Sequence, residues 1–463
     1  MKEENVLPSV TVLTMGCRVN QFETDGILKN GLERGLRASP SLNEADIIVV
    51  NTCSVTVESE RQARKLIRKL GRDHPHAQVV VTGCYAERSP EFFAGLPQVT
   101  LVVGNRDKDR LWQLWSRQRS DFMSMAPVTA INPADAAATD PLGHEFPGPG
   151  DVRHARASLQ IQNGCDRNCT YCVIPRLRGR GTSLEPHRVL EQIRAILDQG
   201  RREIVLLGID LGAYGRDLTP PLSLGGLMRM LQPLIEGRCR LRLSSIDPMD
   251  VDETLTSWFF PGSPVCPHLH LSIQSGDDLI RKRMGRHGTR SDILNTIERL
   301  RRINPDLIFG ADLLAGFPTE SDQAFANTLS LIDDGGLSML HVFPYSQRPD
   351  TAAARFPSAL QLPESVIKER ARLLRLRGET LWTHLAQTRL SRCVDVLIEK
   401  LEPPWAHGTS EDYQSVSFTN FFNDPHGAIR RVRLVHHDPD QNQFIGVIPP
   451  FSTAFSTGSV DNF

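Results

Sequence analysis

This sequence predicts an α/β protein built in three parts: an N-terminal parallel sheet, a central partial (β/α)6 barrel and a small C-terminal β-barrel. Three observations carry that prediction. Short β-branched runs alternate with helical repeats over residues 8–118, and again from 153 to about 350, which is the pattern of parallel sheets with helical crossovers. A stretch rich in Ala, Pro, Asp and Gly, residues 119–152, separates the two blocks with a linker composition. Beyond residue 385 the helical spacing gives way to short strands and turns.

Taken in order, the first block offers strands at Val10–Thr14, Asp46–Asn51, Gln78–Thr82 and Val99–Val103. Between them lie helical patterns such as Glu58–Leu70, where Ala63, Leu66, Ile67 and Leu70 share one face. The linker reads Pro-Ala-Asp-Ala-Ala-Ala at 133–138 and Pro-Gly-Pro-Gly at 147–150. The central part, 153–385, has six strand candidates: Ser158–Gln162, Glu203–Gly208, Arg240–Ser245, His268–Gln274, Phe309–Ala315 and Met339–Phe343. The first five are each followed by a loop and a helical stretch, and six such units fit a partial barrel. A helix over Pro363–His384 trails the barrel. The third part, 386–450, offers strands at Cys393–Ile398, Ser415–Thr419, Ala428–Val435 and Phe444–Val447, and 451–463 reads as a loose Ser/Thr/Gly-rich tail.

Composition narrows the function. With 53 Lys+Arg against 54 Asp+Glu the net charge is −1, so the chain is no bulk polycation, and any nucleic acid must be held by local patches. The longest aliphatic runs, Ile47–Val50 and Ile204–Leu207, fall far short of the ~20 residues of a membrane span. The opening Met-Lys-Glu-Glu-Asn lacks the apolar core of a signal peptide. The expectation is a cytoplasmic protein with no membrane association, acting as a monomer.

Of nine cysteines, three form a C-x3-C-x2-C run, Cys165, Cys169 and Cys172, directly after the first strand of the central part. Three thiolates on one short polar loop suit three irons of a [4Fe–4S] cluster, which normally takes four Cys. The fourth iron is then open to a ligand, as in catalytic zinc sites that keep a free position. A zinc knuckle would want a fourth ligand, and His187 is 15 residues away. Cys17, Cys53 and Cys84 are 36 and 31 residues apart, yet each comes just after a predicted strand. About 30 residues is one βα crossover, so a parallel sheet would gather all three at its carboxyl edge, where such sheets place ligands. The alternative is three separately buried thiols. Cys239, Cys266 and Cys393 look incidental.

The C-x3-C-x2-C run, with Tyr171 before its last Cys, resembles the radical S-adenosylmethionine (SAM) superfamily. With the dispersed N-terminal cysteines and the terminal barrel, nearly the whole chain resembles the methylthiotransferases of that superfamily. The resemblance implies a Rossmann-like first domain carrying an auxiliary [4Fe–4S] cluster on Cys17, Cys53 and Cys84. It implies a radical SAM domain whose cluster on Cys165, Cys169 and Cys172 binds SAM through the open iron, and a TRAM-like RNA-binding barrel. Reductive cleavage of SAM then yields a 5′-deoxyadenosyl radical. Gly16-Cys17-Arg18-Val19-Asn20 and His341-Val342-Phe343-Pro344-Tyr345-Ser346 look most like the branch acting on tRNA N6-threonylcarbamoyladenosine. The implied reaction is methylthiolation of carbon 2 of that base at tRNA position 37, one SAM giving the methyl group and another the radical. It requires an electron donor such as a flavodoxin or ferredoxin, and a sulfur source. The rival substrates are isopentenyladenosine in tRNA and an aspartate of a ribosomal protein. A rival of another class is a non-catalytic iron–sulfur or zinc RNA-binding protein.

Tyr171, Gly208, Asp210, Ser245, Gln274, Arg283 and Gly316 are the expected SAM-pocket residues: strand-end glycines admit close ligand approach, polar side chains suit ribose and carboxylate, and Arg283 suits an anion. Ser272, Ile246-Asp247-Pro248 and Pro349-Asp350 depart from the family pattern. RNA contacts are expected from Arg176, Arg178 and Arg180 beside the cysteine loop, and from Arg431 and Arg433, which a strand places on one face. The bulk charge of 386–450, 6 Lys+Arg against 8 Asp+Glu, does not advertise that role.

Overall fold

The structure, a computed structural model, describes residues 7–120 and 154–449. Residues 119 and 120 close the helix Leu111–Ser120, and the rest of the expected linker and the tail lie outside the described residues.

The first sheet contains β1 (Ser9–Thr14), β2 (Arg37–Ala38), β3 (Ile47–Thr52), β4 (Gln78–Gly83) and β5 (Val99–Val103), all parallel, in the order β2-β1-β3-β4-β5. Every residue of β3 is buried, because helices cover both faces. Ile48 and Val50 face Ala63, Ile67 and Leu70 of the helix Val57–Asp73. Ile47 and Val49 face Ile27, Leu111 and Trp112 on the other side. That double burial explains why the strand is a continuous aliphatic run with no polar alternation. Thr56 starts the helix Val57–Asp73 with a capping box to Ser59, and fixes where the chain leaves the Cys53 loop.

The central strands are β6 (Ala157–Asn163), β7 (Thr182–Ser183), β8 (Glu203–Gly208), β9 (Arg240–Leu243), β10 (His268–Gln274), β11 (Ile308–Ala315) and β12 (Leu337–Pro344). β6, β8 and β9 pair in parallel, as do β10, β11 and β12. Parallel bridges at Leu241–Val265 and Ile246–Leu271 join the two groups. The result is the six-stranded partial barrel, with β7 as a short antiparallel addition to β6. Apolar residues on alternate positions, such as Leu159, Leu206, Leu241, Leu271 and Leu313, point outward into one large core under the helices. The intervening positions leave a polar interior of Gln160, Glu203, Arg242, His268, His270 and Asp312.

The first domain covers the gap between β6 and β12. Val19 and Phe22 of the helix Arg18–Glu33 join the core behind β6 and β8. On the far side Arg348 Nη2 donates to Ser54 O at 2.9 Å, and the Val57 amide donates to Ser346 Oγ at 3.1 Å. The long helix Glu364–Arg389 runs past the expected end at His384 and leads to the third part.

That part is a closed barrel of β13 (Cys393–Glu402), β14 (Trp405–Ser410), β15 (Ser415–Thr419), β16 (Ile429–Asp438) and β17 (Gln443–Val447), ordered β13-β14-β15-β17-β16. Sequence reading missed β14, whose Ala-His-Gly-Thr core has little β character. Gly408 is required there, since a Cβ would fall 1.9 Å from Leu397 O. The barrel docks on the amino ends of the central strands. Arg240 Nη1 donates to Asp395 O at 2.6 Å and Arg242 Nη2 to Ser410 O at 3.0 Å, while both guanidinium groups hold the fully buried Glu203. Burial opposes ionisation of Glu203, but Arg242 and Arg240 outweigh it and hold the carboxyl well below its usual range.

Candidate metal centres and the barrel cavity

The six cysteines of interest are free thiols, and the fold brings each set together by a different route. Cys165, Cys169 and Cys172 sit on the loop after β6. The loop's shape is set by its own backbone. Gly164 adopts φ +68, and a Cβ there would lie 1.9 Å from Arg180 O. The Arg167 amide points at Cys165 Sγ (3.4 Å) and the Ile174 amide at Cys172 Sγ (3.4 Å). Arg286 Nη1 points at Cys169 Sγ (3.8 Å). Burial, then Asp210, push the Cys165 thiol up to about 12, and burial pushes Cys172 up to about 11.

Cys17, Cys53 and Cys84 stand at the carboxyl ends of β1, β3 and β4, where they are electrostatic neighbours of one another. Gly16, with φ +96, leaves no room for a side chain: its Cβ would be 2.7 Å from Cys53 Sγ. Gly83, with φ +98, does the same before Cys84 against Thr52 O at 2.3 Å. The Val55 amide approaches Cys53 Sγ at 3.5 Å, and Asn105 Nδ2 donates to Cys84 Sγ at 3.6 Å.

The two sets adjoin. Cys84 packs with Val173 and Leu177, directly after Cys172, and Asn105 Nδ2 also donates to Leu177 O at 2.9 Å. Arg178 completes the seam. Its guanidinium donates to Glu23 Oε1 at 2.8 Å, Asn20 Oδ1 at 2.7 Å and Asn163 Oδ1 at 3.1 Å. The expectation that Arg178 meets RNA is therefore corrected: its side chain is 1% exposed, and both terminal nitrogens of its guanidinium are held inside the protein. Glu23 is held down to about 2 because Arg178 and Lys108 outweigh its burial.

The other expected residues divide. Gln274 ends β10 at a bulge with φ +73, a backbone strain that clusters at ligand sites. Tyr171, on the loop itself, and Ser245, just past β9, are half-buried, and the Gly208 amide donates to Ser244 Oγ at 3.3 Å. Asp210 is tied to Arg167 at 2.8 Å, and Arg167 also reaches Asp247 at 2.7 Å and pairs with Asp250. A cavity of about 440 Å³ opens beside Cys165 and Asp210. Gly316 serves packing: with φ +77, its Cβ would strike Ile367 Cγ1 at 2.6 Å. Arg283 offers Thr170 its carbonyl (2.8 Å). The guanidinium that reaches the cysteine loop is that of Arg286, three residues on in the same basic run and also paired with Asp247 at 2.8 Å. Arg176, Arg180, Arg431 and Arg433 are exposed, with Arg431 beside Asp395 at 3.1 Å.

Deeper in the barrel, Asp312 accepts from His270 Nε2 at 3.1 Å and His341 Nδ1 at 3.3 Å. Burial works against the Asp312 charge, but those two imidazoles hold the carboxyl well below its usual range. Below them, Tyr413 of the terminal barrel stacks on His268, with centroids 4.8 Å apart. Sequence reading gives His341 only as part of a motif and misses the grouping, because its members come from strands and a turn that only the barrel closure brings together. The three cysteines read as incidental, Cys239, Cys266 and Cys393, line a separate cavity of about 870 Å³ between the two barrels.

Residues 9–104 match the family described as Uncharacterized protein family UPF0004, and residues 159–332 match the Radical SAM superfamily. The chain belongs to the radical SAM methylthiotransferases. Within them it is similar to the threonylcarbamoyladenosine tRNA methylthiotransferase MtaB of Rickettsia prowazekii, 37% identical over 84% of this chain and 87% of the relative. The MtaB of Bacillus subtilis is 31% identical over 96% and 97%. A tRNA-2-methylthio-N(6)-dimethylallyladenosine synthase of Syntrophobacter fumaroxidans is 34% identical over 84% of each chain. Among solved structures, the radical S-adenosylmethionine methyltransferase TsrM from Kitasatospora setae aligns with TM-score 0.53 at 14% identity over 73% of each chain, which speaks to the fold alone. Radical SAM membership implies a [4Fe–4S] cluster and SAM. The Cys165 loop fits that cluster: three free thiols with two amides and a guanidinium aimed at their sulfurs, the kind of donors that tune iron–sulfur centres. Among the described residues no helix is long and apolar enough to cross a membrane.

Proposed function

We propose that this protein methylthiolates carbon 2 of N6-threonylcarbamoyladenosine at position 37 of tRNA, beside the anticodon. The observation that carries the reading is the packing of Cys84, from one three-thiol set, against Val173 and Leu177, which follow the last cysteine of the other, in a chain similar to MtaB enzymes over most of its length. Cys165, Cys169 and Cys172 would hold the radical SAM cluster, and Cys17, Cys53 and Cys84 an auxiliary cluster. Once bound, these groups and SAM supply one-electron chemistry and the transferred sulfur and methyl. The chain's own part is to bring them together. Gln274, Ser245, Gly208 and Tyr171 form the ligand-facing rim, Arg178 locks the two domains at their seam, and Arg286 sets positive charge beside Cys169. Arg176, Arg180, Arg431 and Arg433 are the proposed phosphate contacts, holding tRNA by salt-sensitive pairing. An electron donor, a sulfur source and a cytoplasmic setting complete the proposal.

The test is nucleoside mass spectrometry on tRNA from a strain lacking the protein, with the complemented strain beside it. Loss of the 2-methylthio form, with threonylcarbamoyladenosine accumulating, is expected. Accumulation of isopentenyladenosine, or an altered ribosomal protein with unchanged tRNA, would move the substrate assignment. Absence of 5′-deoxyadenosine from the reduced, loaded protein would overturn the enzyme reading.

A further inference from the structure

Three guanidinium groups surround the ring of Tyr413: Arg242 at 4.7 Å, Arg18 at 5.2 Å and Arg156 at 5.8 Å from its centre. Two of them are neutralised. Arg242 holds Glu203 at 2.9 Å, and Arg156 pairs with Glu399. Arg18 is different. The residue is open to solvent as a whole while its guanidinium lies over the Tyr413 ring, and no ion pair holds it among the described residues. Glu203 and Glu399 act on it only at longer range, beside the like charges of Arg156 and Arg242, so its fork is left open to a carboxylate, which it suits bidentately.

Its position gives that receptor a purpose. Arg18 is the residue next to Cys17, so it emerges beside the auxiliary thiol set. From Arg18 a continuous wall of rings runs up the barrel interior: Tyr413, His268 at 4.8 Å, His270 at 6.4 Å from His268, and His341 at 4.4 Å from His270. Asp312 fixes the last two imidazoles through one carboxylate oxygen. The wall draws on all three parts of the chain. In an N6-substituted adenine, carbon 2 and the carbon bearing N6 flank the same ring nitrogen. A base whose carbon 2 is presented to the Cys17 side therefore carries its N6 arm within a few ångströms of that edge.

We propose that Arg18 is the specificity-determining residue that reads the carboxylate of the threonylcarbamoyl arm. This rests on the substrate reading above. It accounts physically for selecting an anionic arm over an apolar isopentenyl one. The apolar arm would leave Arg18 desolvated and unpaired, and unpaired polar groups discriminate far more strongly than missing methylenes do.

The test uses the full-length, cluster-loaded protein and anticodon stem–loops carrying threonylcarbamoyladenosine, its neutral carboxamide analogue, or isopentenyladenosine. Wild-type protein is expected to bind the acid at least about tenfold tighter than the amide, a difference a single charge-assisted pair supplies. Arg18→Gln should erase that preference, leaving acid and amide equal, and Arg18→Lys should keep most of it. SAM affinity separates the two carboxylates available to the site. It should be the same in Arg18→Gln and wild type. A parallel fall in SAM affinity would assign Arg18 to the SAM carboxylate and overturn the proposal, as would an acid-over-amide preference that survives Arg18→Gln. Should wild-type protein prefer the isopentenyl stem–loop, the substrate reading itself fails, which is a different outcome from a failed Arg18 effect.

Discussion

The two three-thiol sets make an instructive pair. One is a loop of eight residues, 165–172, whose spacing alone brings its sulfurs together. The other is spread over 68 positions, 17–84, and is assembled only because β1, β3 and β4 are parallel neighbours ending at one edge. Yet both use the same local device. Gly16, Gly83 and Gly164, each in the left-handed region, immediately precede Cys17, Cys84 and Cys165. Each lets the strand turn sharply, so that the thiol faces its partners. Cys53 lacks the device because Thr52 runs on in extended form, and its place is set by Gly16 packing against it. A compact motif depends on its own loop; a dispersed one depends on the whole sheet.

The sharpest way to break the comparison is to remove one sulfur from each set. Cys169→Ala should abolish SAM cleavage to 5′-deoxyadenosine, whereas Cys53→Ala should leave cleavage and abolish sulfur insertion. Each variant should lose half the iron of the loaded wild type. Cleavage surviving in Cys169→Ala would remove the radical assignment, and sulfur insertion surviving in Cys53→Ala would remove the auxiliary one.

Next in size is the seam. Arg178→Ala leaves Glu23 buried with only Lys108 for a partner, and should cost about 3–5 kcal/mol in denaturant unfolding. Arg180→Ala, two positions away and 91% exposed, should change stability by under about 0.5 kcal/mol. Equal costs would mean the two domains do not depend on Arg178 for their docking.

The glycines come third. Gly164→Ala and Gly83→Ala should each lose about 1–2 kcal/mol to left-handed strain, and more to backbone overlap with Arg180 O and Thr52 O. Gly200→Ala, also left-handed but with nothing near its Cβ, should show the strain alone. Melting temperature and iron retention report the difference, which should be local for Gly164 and sheet-wide for Gly83.

The smallest effect is the pH response of the barrel floor. Glu203 is held below its usual range, so its stabilisation is full above the unfolded carboxyl value of about 4.3 and is lost as pH falls through the folded one. Glu411 behaves oppositely. Burial, then Asp412 and Asp395, push it up to about 8, so its contribution favours the fold at low pH and fades as pH rises towards 8. Glu203→Gln should be less stable than wild type at neutral pH and flatter on acidification. Glu411→Gln should flatten the slope of a melting-temperature series between about pH 4.3 and about 8.

The sequence by itself determined the three-part α/β plan, most strands to within two residues and both cysteine sets. Periodicity and crossover length are local or nearly local signals, and a parallel sheet has only one edge at which strand ends gather. Even Arg431 and Arg433 on one face followed from the period of a strand. Only the tertiary structure decided which arginines face solvent. Arg178 and Arg180 look alike in sequence, but one is drawn into the seam by Glu23 while the other stays in solvent. Arg286 displaced Arg283 at the cysteine loop because the helix Asp278–Met284 ends at Gly285 and turns the chain back over Cys169. The ring wall from Arg18 through Tyr413 to His341 spans residues more than three hundred positions apart. No local pattern encodes it, since it exists only where three folded parts close on one polar cavity.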